Sequence, residues 1–115
     1  MSAFGLHQAL LIGPAHDITA DRAAWIDRLR TLTVTLTSDS GETRKGVGSD
    51  VYGSPLRVLG YLADDLAAHP ERSPLEVGEI ITTGTLTDLM PLAPGQTWTT
   101  EFAGVPLPGL SVTIV

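Results

Sequence analysis

The sequence contains no cysteine. Disulfide bonds, thiolate metal sites and cysteine nucleophiles are therefore excluded. The lack of cysteine does not by itself indicate the cellular compartment of the protein. Long hydrophobic runs are also missing, and none approaches the roughly 20 residues of a membrane-spanning helix. The opening residues MSAFGLHQALLIGP lack a basic segment and a cleavage signature. We therefore expect no secretory signal, and cytoplasm is the default location.

Basic side chains are scarce: seven Lys and Arg stand against thirteen Asp and Glu, for a formal net charge of −6. A nucleic-acid-binding surface has to neutralise phosphates, so this balance disfavours a nucleic-acid partner. Hydrophobic residues make up 43% of the 115 residues and charged residues 17%. This composition predicts one small globular domain, residues 1–115.

The clearest strand pattern is TLTVTLTS, in which Leu32, Val34 and Leu36 alternate with threonines. A turn, SDSGE, follows it. The best helix pattern is PLRVLGYLADDLAA, which Ser54 can cap. Its apolar face, which we expect to pack on a sheet, consists of Leu56, Leu59, Leu62, Ala63 and Leu66.

The remaining patterns add further strands and one short helix. ALLIG predicts a buried strand, and GEIITTG, TWTTEF and LSVTIV predict three more. ITADRAAWIDRLR predicts a helix whose apolar face holds Ala23, Ile26 and Leu29. Gly60, inside the main helix, suggests a close-packed neighbour. Together these patterns predict an α+β fold with a mixed, strand-rich sheet and one main amphipathic helix.

Residue chemistry alone gives no complete active site. The three histidines have no metal-ligand spacing; His69 suits a helix end, and His7 is the one we retain as a site candidate. His16 and Asp17 form either an oriented acid–base pair or simply the start of a turn. The carboxylates are scattered, without a Glu-x-Glu pair, and no Gly-x-Ser-x-Gly motif is present.

One set of motifs points further than the single residues do. GSDVYGSPL, the helix that begins at Pro55, LEVGEIITTGTLT, LAPGQT and the final LSVTIV follow one another over the last 70 residues or so. In order and spacing this set resembles the C-terminal part of 2-keto-4-pentenoate hydratases and 4-oxalocrotonate decarboxylases, within the fumarylacetoacetate hydrolase superfamily. HQALLIGP matches more loosely. The resemblance implies a β-roll or sandwich like the C-terminal part of that superfamily.

The resemblance also implies a substrate site at Thr83, Gly84 and Thr85, where the family places a strand end near the substrate carboxylate. Glycine allows close backbone approach, and hydroxyl and N–H groups can donate to an anion. His7 would help to position the substrate. The alternative is that these threonines only satisfy the edge of a strand. Asp88 departs from the family pattern, because glycine usually follows the TLT motif.

A divalent metal, Mg²⁺ or Mn²⁺, is implied as well. In the family its ligands, a Glu-x-Glu pair and a further acid, lie upstream of the matching part, as does the catalytic lysine, so we expect no metal ligands in this chain. Two hypotheses follow. The chain is a hydratase/decarboxylase-like protein for 2-oxo or 2-hydroxydienoic acids that needs a partner chain carrying the metal, or it is a non-catalytic binding or assembly module. Either way we expect a homo- or hetero-oligomer.

Overall fold

The computed structural model describes residues 9–115 as two helices and four strands. In chain order these are α1 (Arg22–Thr31), β1 (Thr33–Ser38), β2 (Thr43–Val47), α2 (Pro55–Ala68), β3 (Thr97–Ala103) and β4 (Ser111–Thr113). The strands form a single sheet in the order β2-β1-β3-β4. The predicted α+β class is confirmed. The prediction of a mixed sheet is wrong, because every strand pair in the described part is antiparallel.

The sheet has one apolar face and one polar face. Val34 on β1 pairs with Gly46 on β2 and Phe102 on β3, so these three residues share the apolar face. Two rows further along the same face, Trp98 lies opposite Ser38, and both are buried. Threonine side chains dominate the other face, where Thr97 and Thr113 hydrogen-bond across β3 and β4 at 2.9 Å. The period-2 pattern of TLTVTLTS therefore produced the alternation that it predicted.

The main helix has the bounds expected from its sequence. Ser54 is the N-cap, and its Oγ accepts a hydrogen bond from the Leu56 N–H at 3.3 Å. None of the fourteen residues of α2 is buried, and the helix packs against α1. The predicted apolar face is therefore only partly covered, and the expectation that it packs mainly on the sheet is wrong, because its main described partner is α1. Gly60 has no close neighbour among the described residues, so the close packing predicted for it is wrong.

Leu62→Ala measures how far this helix face is covered. Leu62 is only half-buried, so we expect a loss of about 1–2 kcal/mol, below the roughly 2–5 kcal/mol typical of a buried leucine. Urea unfolding followed by circular dichroism checks the value. A loss near 5 kcal/mol, typical of a fully buried leucine, would show that this helix face is covered in solution.

The first helix is where predicted, but it buries a different face. Trp25 is buried, whereas Ile26 of the predicted face is 51% exposed. The Arg28 guanidinium lies 5.6 Å from the centre of the Trp25 ring, and the His16 ring lies 5.5 Å from it. The large indole therefore decides which side of this short helix is turned inward. Neither helix of residues 9–115 is long and apolar enough to cross a membrane.

Two predicted strands do not form. ALLIG and GEIITTG lie outside the sheet and have no regular secondary structure. Residues 9–13 and 80–84 make no backbone–backbone hydrogen bond to a described residue. Leu10, Leu11 and Ile12 are at least half exposed, and Ile80 is 64% exposed. Their apolar, β-branched composition has strand character, but a strand also needs a neighbour with which to form a ladder.

Candidate functional site

A cavity of about 490 Å³ lies against the apolar face of the sheet. Its floor is formed by two rows of side chains from β1 and β3: Val34 beside Phe102, and Leu36 beside Thr100. The segment from Gly84 to Thr87 forms one wall, and Leu11 contributes from the segment that precedes α1. The sheet thus positions an apolar floor, and two loop segments close over part of it.

The wall is a tight turn centred on Leu86. Thr85 Oγ1 donates a hydrogen bond to the Thr87 carbonyl at 2.8 Å and accepts one from the Thr87 N–H at 3.3 Å. Gly84 enters the turn with φ of +111°, a backbone conformation that favours glycine. The Thr85 side chain therefore organises the turn, while Thr87 brings a second hydroxyl-bearing side chain to the cavity.

Thr100 brings a third hydroxyl to the cavity, at the middle of β3. Its Oγ1 accepts from the Leu110 N–H at 2.9 Å and lies 3.4 Å from the Leu110 carbonyl. The part of the floor around Thr100 is therefore fixed to the segment that leads into β4. The cavity therefore combines a mostly apolar floor with three hydroxyl-bearing side chains, Thr100 in the floor and Thr85 and Thr87 in the wall.

None of the described residues that line this cavity is ionisable. Within residues 9–115, no three His, Asp or Glu side chains converge in a way that could hold a metal ion. The donor set described here therefore does not fit a divalent metal, which requires several converging oxygens. Asp65, for example, is paired with Arg72 at 3.0 Å on the surface.

Asp17 is the starting residue of a turn, as one of the two alternatives for it predicted. Its Oδ1 accepts a hydrogen bond from the Thr19 N–H at 2.9 Å. Hydrogen bonding from the Thr19 hydroxyl, and then from its backbone N–H, holds the pKa of the Asp17 carboxyl below its ordinary value. His16 instead contacts Trp25, so these two neighbours point to different partners.

The sequence-predicted site residues are only partly brought together. Gly84 and Thr85 line the cavity, whereas Thr83 is half-buried beside it and is not a lining residue. His7 lies outside the described residues. Leu11 and Thr87 also line the cavity, and neither was among the predicted site residues. The fourth threonine of ITTGTLT was the available signal for Thr87, because it lies two positions beyond Thr85.

Two curated proteins are similar to this chain, and both are 4-oxalocrotonate decarboxylases. The one from Pseudomonas sp. strain CF600 is 35% identical over 77 residues, which is 67% of this chain and 28% of that protein. The one from Pseudomonas putida is 34% identical over 90 residues, which is 76% of this chain and 33% of that protein. No protein-family model matches the chain.

Solved structures agree with the sequence comparison. The 4-oxalocrotonate decarboxylase from Pseudomonas putida G7, complexed with magnesium and adipate, superposes with a TM-score of 0.64 at 36% identity. The match covers 76% of this chain and 32% of that one. The same enzyme complexed with calcium and acetate gives the same values.

The described residues form an α+β fold with an antiparallel sheet. The cavity on the apolar face of this sheet is large enough for a small molecule. The comparisons identify this chain as a relative of the 4-oxalocrotonate decarboxylases and confirm the resemblance to that branch of the fumarylacetoacetate hydrolase superfamily. The chain spans only about a third of the length of these relatives, 28% and 33% of the two curated proteins.

Proposed function

We propose that this chain supplies part of the substrate pocket of a hydratase/decarboxylase-like protein that acts on 2-oxo or 2-hydroxydienoic acids. The observation that carries the proposal is the cavity in which Gly84 and Thr85 meet the apolar face of the sheet. The 4-oxalocrotonate decarboxylase that superposes on this chain was solved with adipate, a small dicarboxylate. Small-molecule sites commonly combine apolar walls with a few polar groups in this way.

Each part of the cavity has a role in this proposal. Val34, Leu36 and Phe102 contact the carbon chain of the substrate, because they offer apolar surface alone. The turn from Gly84 to Thr87 faces a carboxylate. Its donors are the Thr87 hydroxyl and the backbone N–H groups of residues 84–86, while the Thr85 hydroxyl and the Thr87 N–H hold the turn together. Thr83 and His7 belong to the same proposed site. Thr83 supports the turn from beside the cavity, and His7 remains a proposed substrate contact.

The metal chemistry of such a protein is proposed to come from a partner chain. The solved relatives hold magnesium or calcium, whereas the described carboxylates of this chain do not converge. We therefore assign no metal ligand, and no catalytic step through a metal, to these residues. A partner carrying the acidic cluster would complete the pocket and form an oligomer with this chain.

The finer features of the fold belong to the same proposal. The four-stranded sheet would correspond to part of a β-roll like that in the C-terminal part of the superfamily, and residues 1–115 would form one domain located in the cytoplasm. The relatives' fold and similarity support this correspondence. The exposed apolar segments around Leu10–Ile12 and Ile80 are the surfaces that a partner would cover.

A non-catalytic binding or assembly module is the second candidate. The observation that favours it is the absence of converging acids among residues 9–115 together with the large exposed apolar segments. Such a chain would keep the cavity and the interface but would not contribute to turnover. The two candidates differ in one measurable property, namely whether changes in the cavity alter catalysis in the complex.

Thr85→Val tests the role of the turn. The change keeps the side-chain shape but removes both hydrogen bonds to Thr87, so we expect adipate binding and any kcat/KM to fall by about tenfold. Titration of the labelled chain with adipate, followed by NMR at Gly84, Thr85 and Thr87, measures binding directly. In the completed complex, steady-state kinetics measures kcat/KM.

Thr33→Val is the matched control, because Thr33 lies on β1 but on the polar face away from the cavity. Thr33→Val should leave both adipate binding and kcat/KM unchanged. If Thr85→Val also leaves adipate binding unchanged, the turn is not part of a carboxylate site. If binding weakens while kcat/KM of the complex does not change, the binding-module candidate is favoured.

A further inference from the structure

Gly46 allows an unusually close contact between strand β2 and the turn. A Cβ placed on Gly46 would lie 1.8 Å from the Leu86 carbonyl oxygen and 2.6 Å from its carbonyl carbon. No side chain can occupy that space without moving one of the two backbones. Gly46 is also buried, although β2 is an edge strand of the sheet. Glycine inside a strand often marks such a close backbone approach.

This contact lies at the candidate site. Gly46 is paired with Val34, a residue of the cavity floor, and Leu86 is the central residue of the turn that forms the wall. From residue 80 to residue 92, the chain makes no backbone–backbone hydrogen bond to another described residue. The position of the turn over the cavity therefore depends on packing, and the Leu86 backbone lies directly against Gly46 of the sheet.

A second, looser contact supports the entry to the same turn. A Cβ placed on Gly84 would lie 3.9 Å from Val51 Cγ1, an ordinary van der Waals distance. Val51 is itself buried and follows β2 by a few residues. The centre of the turn thus rests on β2, and its entry lies beside the segment that follows β2. Of these two contacts, only the one at Gly46 leaves no room for a side chain.

We propose that Gly46 is a positioning residue of the candidate site: its missing side chain seats the Leu86 backbone on β2 and so holds the Thr85–Thr87 turn over the cavity. The effect on ligand binding rests on the function proposed above, while the seating of the turn does not. Displacing the turn by about 1 Å would be enough to impair the site strongly. Misplacement of a functional group on that scale lowers the rate of an enzyme reaction by up to about 100-fold.

The first test uses the unmodified chain. Solution NMR should show nuclear Overhauser contacts between the Gly46 α-protons and the protons of Leu86 and Thr87. The absence of these contacts in a folded chain would overturn the proposal. This measurement needs neither a ligand nor a variant, so it stands even if adipate does not bind.

The second test compares Gly46→Ala with Gly60→Ala, which makes the same change where nothing lies within 4 Å. Lys45→Ala is a second control, on the same strand but on the opposite face. Gly46→Ala should shift the amide signals of residues 84–87, remove exchange protection from the Thr87 N–H and weaken adipate binding at least tenfold. Both controls should leave these signals and the affinity unchanged. Leu86→Ala should not rescue Gly46→Ala, because the clash is with the carbonyl group.

The outcomes separate the two proposals. Unchanged signals at residues 84–87 in folded Gly46→Ala would overturn the role of Gly46. If the wild-type chain shows the Gly46–Leu86 contacts but no adipate binding, the proposed function fails and the seating of the turn stands. If Gly46→Ala does not fold, the contacts in the unmodified chain decide the question.

Discussion

Replacing Trp98 by alanine is expected to lower the free energy of unfolding by about 3–5 kcal/mol, the range typical of a buried aromatic residue. Trp98 is only 3% exposed and lies on β3 between Ser38 on β1 and Val112 on β4. Among the described residues only four other hydrophobic side chains are buried, namely Trp25, Leu32, Val34 and Val51. Removing the indole would therefore delete a large share of a small core.

The indole also fixes the loop before β3. Trp98 Nε1 donates to Gln96 Oε1 at 3.2 Å, and the same oxygen accepts from the Ala93 N–H at 2.8 Å. Without the ring, the Gln96 side chain loses one of the two groups that hold it. The loop from Ala93 to Gln96 would then be less ordered, which adds to the loss from the cavity left in the core.

Tyr61→Ala is the matched control, because Tyr61 is an aromatic residue on α2 that is 54% exposed. We expect it to change stability by about 0.5 kcal/mol or less. Urea unfolding followed by circular dichroism is the suitable measurement, since tryptophan fluorescence is itself altered by the first variant. Equal effects for the two variants would contradict the burial of Trp98.

Local signals in the sequence predicted the regular elements that carry their own pattern. The alternation around Val34 predicted β1, and the Ser54 cap with Pro55 predicted the start of α2. In these elements the residues that decide the structure are neighbours in sequence. The N-cap bond joins residues only two apart, and the strand pattern repeats every second residue.

The elements that failed depend on partners distant in sequence. ALLIG has strand composition, but whether it pairs is decided by another strand, which no local pattern reveals. The orientation of α1 was likewise decided by Trp25, whose ring packs beside His16 and Arg28. A periodicity count treats all apolar residues alike, whereas the largest ring gains most from burial.

For the candidate site, the sequence motif indicated the turn but not the cavity. Gly84 and Thr85 were expected from the resemblance, and the structure places both at the cavity wall. The floor came from β1 and β3, which are separated by about sixty residues and meet only in the folded sheet. The seating of Leu86 on Gly46 was also hidden, because a glycine in a strand does not reveal which backbone approaches it.

The largest functional effect is expected on adding a partner chain that carries a Glu-x-Glu pair and a further acid. The described carboxylates of this chain are dispersed; Asp65 pairs with Arg72, and Asp27 pairs with Arg30. The chain alone should therefore bind Mg²⁺ no better than a generic acidic surface and should show no turnover. The complex should turn over a 2-oxo or 2-hydroxydienoic acid, and chelation of the metal should abolish that activity.

Titration calorimetry with Mg²⁺ and an absorbance assay for the dienol measure the two halves of this prediction. Tight Mg²⁺ binding by the chain alone would contradict the conclusion drawn from its dispersed carboxylates. Formation of a stable complex without turnover would instead support the assembly module, since the exposed residues Leu10–Ile12 would be covered without any catalytic consequence. Turnover that is lowered by Thr85→Val and not by Thr33→Val would place this chain's own cavity in the reaction, because only the first change disturbs the wall beside the substrate.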